Sequence, residues 1–281
     1  MTQRDLITRR LLRLPEKKHY NCTMARFFNI QKIGETAIDA AVRLTGPYSL
    51  LYKCLRNIPV LKAAPVRAVF CKQIYFTGIR ALKTVSLISI IVGIVIMTQV
   101  ANITGVNSGV TGKILTWAVV RELGPLMTAI IVIARSCTAT SVELGTMRLG
   151  GEIDSLKLMG IDPLDYLVVP RVAGITISLL VLTFYFQIFA VAGGLLASSM
   201  LIGASFVQQA RTIISSFSPF EFVVPALKVI FFGLAVSSAS CYHGLGVKSA
   251  TEVPQAASTA VMQGLFFVFL LDGAITVATY L

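Results

Sequence analysis

Four charged side chains interrupt stretches of this sequence that are otherwise apolar enough to lie in a membrane: Glu122, Arg135, Lys228 and Asp272. A charge at the bilayer centre costs about 2.5–3.5 kcal/mol on insertion scales, so such residues usually face a bundle interior or a wet cavity. They could form a polar pathway across the membrane. The alternative is a structural role, in which each charge pairs with a neighbouring span.

Glu122, in the sequence RELGP, is the best single candidate for a pathway residue. Arg121 precedes it directly, and neighbouring residues point about 100° apart on a helix, so the two cannot simply neutralise each other. Pro125 removes an amide donor and crowds the carbonyl four residues earlier, so Gly124-Pro125 predicts a bend. The alternative for Glu122 is a carboxylate bonded to a neighbouring span. Lys228 is interpreted as a snorkelling or a pathway lysine.

The elements that position these charges are membrane helices. The chain has 281 residues, of which 55% are hydrophobic and 14% charged, with a mean hydropathy of +0.78. This composition excludes an ordinary soluble domain and predicts an all-α polytopic membrane protein. The uncharged run from Val172 to Ala210 fits one span with a loop, or two spans with a tight turn, and we favour one. The five predicted spans are 84–101, 114–144, 167–198, 221–242 and 257–280.

The formal charge of +12 is concentrated before the first predicted span. Residues 1–83 hold 16 Lys and Arg against 4 Asp and Glu. Positive charge flanking a first span favours a cytoplasmic N-terminus, and five spans then leave the C-terminus outside. We therefore predict a basic arm at 1–83 and a transmembrane domain at 84–281. Nothing in the arm resembles a base-reading module, so nucleic acid is not an expected partner.

The arm contains an amphipathic pattern between Phe27 and Val60, which predicts a helix in the membrane interface. A soluble helix packed on the bundle is the alternative. The first 23 residues lack the apolar core of a secretory signal. Translation could start at Met1 or at Met24.

A short polar segment follows Gly145. Ile153, Leu156 and Met159 share one face between Gly150-Gly151 and Gly160, which predicts an amphipathic helix at about 150–160, on the cytoplasmic side. Asp162-Pro163 then has the composition of a helix start, with a capping acid before a proline. An ordinary solvated loop is the alternative.

Residues for catalysis or metal binding are not found together in the sequence. No phosphate-binding loop or nucleophile triad occurs, and His19 and His243 lie too far apart in the chain for a zinc-ligand pattern. The five cysteines show no paired spacing and are interpreted as apolar packing residues. Small residues spaced by four predict close helix packing: Ala190, Gly194 and Ser198, and Gly233, Ser237 and Cys241.

At RELGP, ARSCTATSVELGTMR, EIDSLKLMGIDPLDYLVVPR and LLDGAIT, the sequence resembles the MlaE/YrbE family of ABC-transporter permeases, over roughly 66–281. The resemblance implies a bacterial inner-membrane homodimer that moves phospholipids or related lipids between the inner and outer membranes. Its implied partners are an ABC ATPase, a periplasmic substrate-binding protein with MCE domains and a possible STAS-type accessory subunit. Many relatives have a glycine-rich segment before the last span, where this chain has VKSATEVPQAAST, which indicates a distinct subfamily.

The resemblance also suggests site residues. The short helix at 150–160 would be the coupling helix that docks into the ATPase. No cofactor is expected on this chain, because ATP would be bound by the partner. The lipid-pathway candidates are Glu122, Arg121, Leu123, Pro125 and Met97. The coupling candidates are Glu152, Ile153, Leu156, Lys157 and Met159.

Two other functions fit the residues without the resemblance. An ion-coupled secondary transporter could use Glu122, Arg135, Lys228 and Asp272 as its pathway. A membrane anchor for a larger complex would use the same charges only to hold its helices together.

Overall fold

A computed structural model describes residues 45–104, 114, 117–201, 207, 210–211 and 222–280. By its packing, the chain divides into residues 1–43 and 44–281. Within the described part of the second unit, five helices are long and apolar enough to cross a membrane, and no strand is present. The prediction of an all-α polytopic membrane protein is confirmed. Both candidate start methionines and the amphipathic pattern as far as residue 44 lie outside the described residues.

The helices are numbered in chain order. Their bounds are: α1, residues 45–56; α2, Ala64–Thr77; α3, Leu82–Thr104; α4, Trp117–Leu149; α5, Glu152–Leu158; α6, Val169–Leu201; α7, Val223–Leu245; and α8, Glu252–Tyr280. α4 begins with a wider π-helical turn, Trp117–Leu123, and contains a second, Ile133–Cys137, while a third, Leu164–Val168, leads into α6.

The first span is built from α3, with α2 leading into it. α3 has 23 residues, about 34 Å at 1.5 Å per residue, which is long enough for a hydrocarbon core of about 30 Å. A short 3-10 turn, Ile79–Ala81, joins it to α2. α2 lies within the region that the sequence assigned to the arm, and it packs against α6. Compact packing therefore begins well before the first predicted span.

The long uncharged run after Val172 forms one helix, α6, as expected. α6 is the centre of the bundle, because it packs against α2, α3, α4 and α7. Glycine allows the closest of these contacts: a Cβ atom on Gly93 of α3 would collide with the backbone of Ala190 on α6. Gly233 of α7 likewise lies against Thr176, where an added Cβ would be 2.7 Å from Cα. The predicted packing through small residues is confirmed at these positions.

α5 is held between two glycines in the left-handed region of backbone conformation. Gly151 has a φ of 73° and Gly160 a φ of 76°, which residues with a Cβ rarely adopt. The short helix predicted between these glycines is therefore present. After it, Asp162 Oδ1 accepts a hydrogen bond from the Leu164 amide at 2.9 Å, as the predicted cap requires.

A second apolar core lies beneath α5. Ile153 is buried there together with Leu50 and Cys54 of α1 and Leu144 of α4. Burial raises the pKa of the Cys54 thiol to about 12, so the thiol stays protonated and acts as a packing group. This core fixes α5 and α1 to the end of the membrane helices.

Candidate functional site

Three of the four charges singled out in the sequence meet inside the bundle. Lys228 Nζ lies 2.7 Å from Glu122 Oε2 and 2.9 Å from Asp272 Oδ1. It also donates to Thr276 Oγ1 at 2.7 Å, and that hydroxyl donates to Glu122 Oε2 at 3.2 Å. We call these four residues the charged cluster. They join α4, α7 and α8 through polar side chains.

Helix direction explains why these residues meet. Glu122 lies near the start of α4 and Lys228 near the start of α7, whereas Asp272 lies near the end of α8. Successive spans alternate in direction, so all three positions come to the same end of the bundle. We call it the cluster end. α5 connects the end of α4 to the start of α6, so it lies at the opposite end, the α5 end.

Lys228 does not snorkel, because its side chain is 0% exposed, while Glu122 and Asp272 are 21% and 15% exposed. An ammonium with three oxygen partners within 3 Å has its hydrogen bonds satisfied. Two carboxylates against one ammonium leave a formal charge of −1. Within the described residues, Glu122 Oε1 has no hydrogen-bond partner. The cluster thus joins three helices through polar contacts and contains one more carboxylate than ammonium groups.

Glu122 lies on a widened helical turn. α4 begins as a π turn, Trp117–Leu123, and continues as an α-helix from Gly124. In a π turn the Val120 carbonyl would pair with the amide five residues later, but that residue is Pro125, which has no N–H. Gln187 of α6 replaces the missing donor, with Nε2 2.9 Å from the Val120 oxygen. The π turn thus ends directly before Gly124-Pro125, where the sequence predicted a bend, and a neighbouring helix supports it.

The other predicted pathway residues lie in different surroundings. Arg121 and Leu123 are half-buried beside Glu122, whereas Pro125 and Met97 are buried within the chain, and Met97 belongs to the main apolar core. Arg135 lies apart from the cluster and lines a cavity between α2, α4 and α6. The four charges of the ion-transport hypothesis are therefore not brought together as one set.

A family model described as Permease MlaE matches residues 70–278. That range contains the charged cluster, α5 and all five membrane-crossing helices from the second turn of α2 onward. The chain belongs to the MlaE permease family. Both features therefore lie within the part of the chain that defines this family.

Curated relatives of this MlaE-family chain come from bacteria and from a chloroplast. The chloroplastic protein TRIGALACTOSYLDIACYLGLYCEROL 1 of Arabidopsis thaliana is 31% identical over 205 residues, which cover 72% of this chain and 58% of that protein. A probable ABC transporter permease of Synechocystis sp. is 31% identical over 183 residues, covering 64% of this chain and 69% of the relative. One of Rickettsia prowazekii is 27% identical over 231 residues, covering 80% and 88%. The chain thus spans little more than half of the Arabidopsis protein.

The α5 end of this MlaE-family chain carries an exposed apolar surface. Leu158 is 89% exposed and Met159 65%, and Ile161 is also exposed. Glu152 and Lys157 are exposed beside them, whereas Leu156 is half-buried and Ile153 is buried against the bundle. We call Leu158, Met159 and Ile161 the α5 surface. Of the predicted coupling residues, only Met159 belongs to it.

Sequence reasoning did not find Gln187, Thr276, Leu158 or Ile161. Gln187 is a lone amide in an apolar span, and this was the available signal, because a polar group within the membrane needs a partner. Thr276 follows Asp272 by one helical turn, a spacing that places both side chains on one face. Leu158 and Ile161 gave no signal, because exposure depends on how α5 packs.

Proposed function

We propose that this chain is the permease subunit of an ABC transporter that moves phospholipids or related lipids between the inner and outer membranes. The observation that carries the proposal is the α5 surface in a member of the MlaE permease family. Apolar side chains exposed beyond the ends of membrane helices indicate a binding surface. A separate ATPase is the partner that would cover it.

The geometry of α5 suits the transmission of movement. α5 follows α4 after two glycines and precedes α6 after a third, so a force on α5 acts on both spans. Ile153 anchors α5 in the apolar core beneath it. The ion pair of Asp154 with Arg148, at 3.4 Å, ties α5 to the end of α4. ATP-driven closure of the partner would reach the cluster end along α4, where Glu122 would border the lipid pathway.

The bacterial inner membrane is the proposed site, with the α5 end and the N-terminus in the cytoplasm and the C-terminus in the periplasm. Arg148, Lys157 and Lys248 at the α5 end support this orientation, since cytoplasmic flanks favour positive charge. The chain would act as a non-catalytic homodimer with no cofactor of its own, beside an MCE-domain protein and a possible STAS-type subunit.

The direct test is a charge at the centre of the α5 surface. Leu158→Glu should abolish co-purification of the ATPase and ATP-dependent lipid transfer in reconstituted liposomes, because a carboxylate would replace an apolar contact. The isolated variant should keep its melting temperature, since Leu158 makes little contact with the bundle. Thr251→Glu adds the same charge at an exposed position of the same end and is the matched control. Retention of the ATPase by Leu158→Glu would contradict the proposal.

An ion-coupled transporter is the second candidate, and the gathering of Glu122, Lys228 and Asp272 is the observation that favours it. It requires lipid or solute flux driven by an ion gradient in liposomes that contain only this chain. ATP-dependent transfer that needs the ATPase, with no gradient-driven flux, would exclude it. If Glu122→Gln left ATP-dependent transfer unchanged, the cluster would have only the anchoring role.

A further inference from the structure

A second charged region lies away from the cluster, in a cavity of about 550 Å³ between α2, α4 and the start of α6. Its lining includes Lys72 on α2, Arg80 on the turn between α2 and α3, Arg135 and Glu143 on α4, and Arg171 on α6. Four cationic side chains against one carboxylate give a formal charge of +3. We call this cavity the basic cleft. It shares no residue with the charged cluster.

Arg171 shows that the basic cleft is built to hold an anion. Its side chain is only 4% exposed, and Nη2 lies 3.0 Å from Glu143 Oε1. Nη1 is buried without a hydrogen-bond partner among the described residues. A buried charged donor without an acceptor is costly, because it loses its hydration without replacement. An anionic ligand in the cleft would supply the acceptor.

The other cations of the basic cleft are also available. Lys72, Arg80 and Arg135 have no carboxylate within salt-bridge distance in the described part of the chain. Arg80 lies 5.0 Å and Lys72 6.0 Å from the ring centre of Phe76, which orients both charges by cation–π contact. Ser136 and Thr140 add hydroxyl groups to the lining. Guanidinium, ammonium and hydroxyl donors together match the oxygens of a phosphate group.

The surroundings of the basic cleft indicate a phosphate carried by a lipid. Arg171 follows the start of α6 by two residues and Glu143 lies near the end of α4, so the cleft begins at the α5 end, where the membrane helices end. Tyr75, Phe76 and Ile79 are exposed beside it. They form an apolar surface along which acyl chains can lie, while the volume is within the range of small-molecule sites. Basic pockets between membrane helices are suited to lipid headgroups.

We propose that the basic cleft binds the phosphate of an anionic phospholipid from the leaflet next to the α5 end. The guanidinium groups of Arg171 and Arg135 donate to the phosphate oxygens, and Lys72 and Arg80 close the site from α2 and the turn that follows it. The exposed aromatic surface of α2 supports the acyl chains. This binding depends only on the cleft and does not require the proposed transport function.

The test uses the purified, lipid-depleted full chain in detergent. Dioleoyl phosphatidic acid and dioleoyl phosphatidylcholine are titrated in parallel, and bound lipid is counted by native mass spectrometry. Phosphatidic acid should bind at least about tenfold more tightly, because a hydrogen bond to a charged group is worth about a factor of ten or more. Equal binding of the two lipids would overturn the proposal.

Matched variants locate the site. Arg135→Gln should weaken binding of phosphatidic acid about tenfold, whereas Lys83→Gln, an exposed cation at the same end but outside the cleft, should leave it unchanged. Arg171→Lys keeps the buried charge and the fold but loses the planar fork, so its binding should fall with an unchanged melting temperature. Equal loss in Lys83→Gln, or no loss in Arg135→Gln and Arg171→Lys, would refute the assignment.

A soluble phosphate is distinguished by competition. Inorganic phosphate and glycerol 3-phosphate present the same oxygens without acyl chains. Neither should displace phosphatidic acid at equal concentration, because each lacks the contact with α2. Displacement by either at the affinity of the lipid would show a site for a soluble anion and overturn the lipid proposal.

Discussion

The charged cluster and the basic cleft both bury a cationic side chain, but they satisfy it differently. Lys228 has three oxygen partners supplied by α4 and α8. Arg171 has one carboxylate on one nitrogen, and its other terminal nitrogen has no partner in the described structure. The buried cation of the cluster is thus fully paired within the chain, whereas the buried cation of the basic cleft is paired on one side only.

The largest effect is expected from breaking the pairing in the cluster. Lys228→Met leaves Glu122 and Asp272 close together without their shared cation. Removing one partner of a buried ion pair costs about 3–5 kcal/mol, and the partial exposure of both carboxylates places the cost toward the lower figure. The loss of stability should appear as a lower melting temperature of the purified chain in detergent.

Two further variants make that test specific to the cluster. Lys83→Met removes an exposed lysine and should leave the melting temperature unchanged. Adding Glu122→Gln and Asp272→Asn to Lys228→Met should recover part of the loss, because the repelling charges are gone. A melting temperature of Lys228→Met equal to that of Lys83→Met would show that the cluster does not hold the spans together.

A smaller loss of stability is expected from replacing Gln187, which supports the π turn that contains Glu122. Gln187→Leu has a similar volume but leaves the Val120 carbonyl buried without its donor, at a cost of about 1–3 kcal/mol. Gln99→Leu, at an exposed position in α3, is the matched control and should not be destabilised. Denaturant titration of both variants compares them, and equal midpoints would mean that the turn needs no support from α6.

The smallest loss of stability is expected from removing an exposed charge at the α5 end. Asp154 pairs with Arg148 and Lys157, but its side chain is 61% exposed. Asp154→Asn should lower the free energy of local opening of α5 by only about 0.2–1 kcal/mol, and salt should screen the difference. Hydrogen exchange of the α5 amides at low and high salt measures it. An effect as large as that of Lys228→Met would remove the contrast between interior and surface charges.

The sequence predicted local structural elements better than it predicted which residues of different helices contact each other. Gly151, Gly160 and Asp162 act on their own backbone, so the bounds of α5 and its cap were predictable. The uncharged run after Val172 fitted one span or two, and the single span that we favoured is α6. These signals are local, because they depend on conformational preferences and on the thickness of the membrane.

The partners of Glu122 could not be predicted in the same way. Lys228 and Asp272 were each recognised as unusual, but both the lipid-facing and the buried faces of a membrane helix are apolar, so periodicity does not reveal which face meets which helix. Glu122 is bonded to Lys228 of a neighbouring span, and its role in a pathway stays a prediction. The basic cleft escaped detection for the same reason, since its cations come from three separate helices.

The excess charge of the cluster also determines how the membrane voltage acts on it. One elementary charge that crosses the whole bilayer gains about 2.3 kcal/mol per 100 mV. If one such charge moved by one helical turn along the membrane normal, about 5.4 Å of a core of about 30 Å, the gain at 100 mV would be about 0.4 kcal/mol. That is less than thermal energy, about 0.6 kcal/mol. A voltage of 100 mV should therefore shift the equilibrium of a conformational change at the cluster end by no more than about twofold.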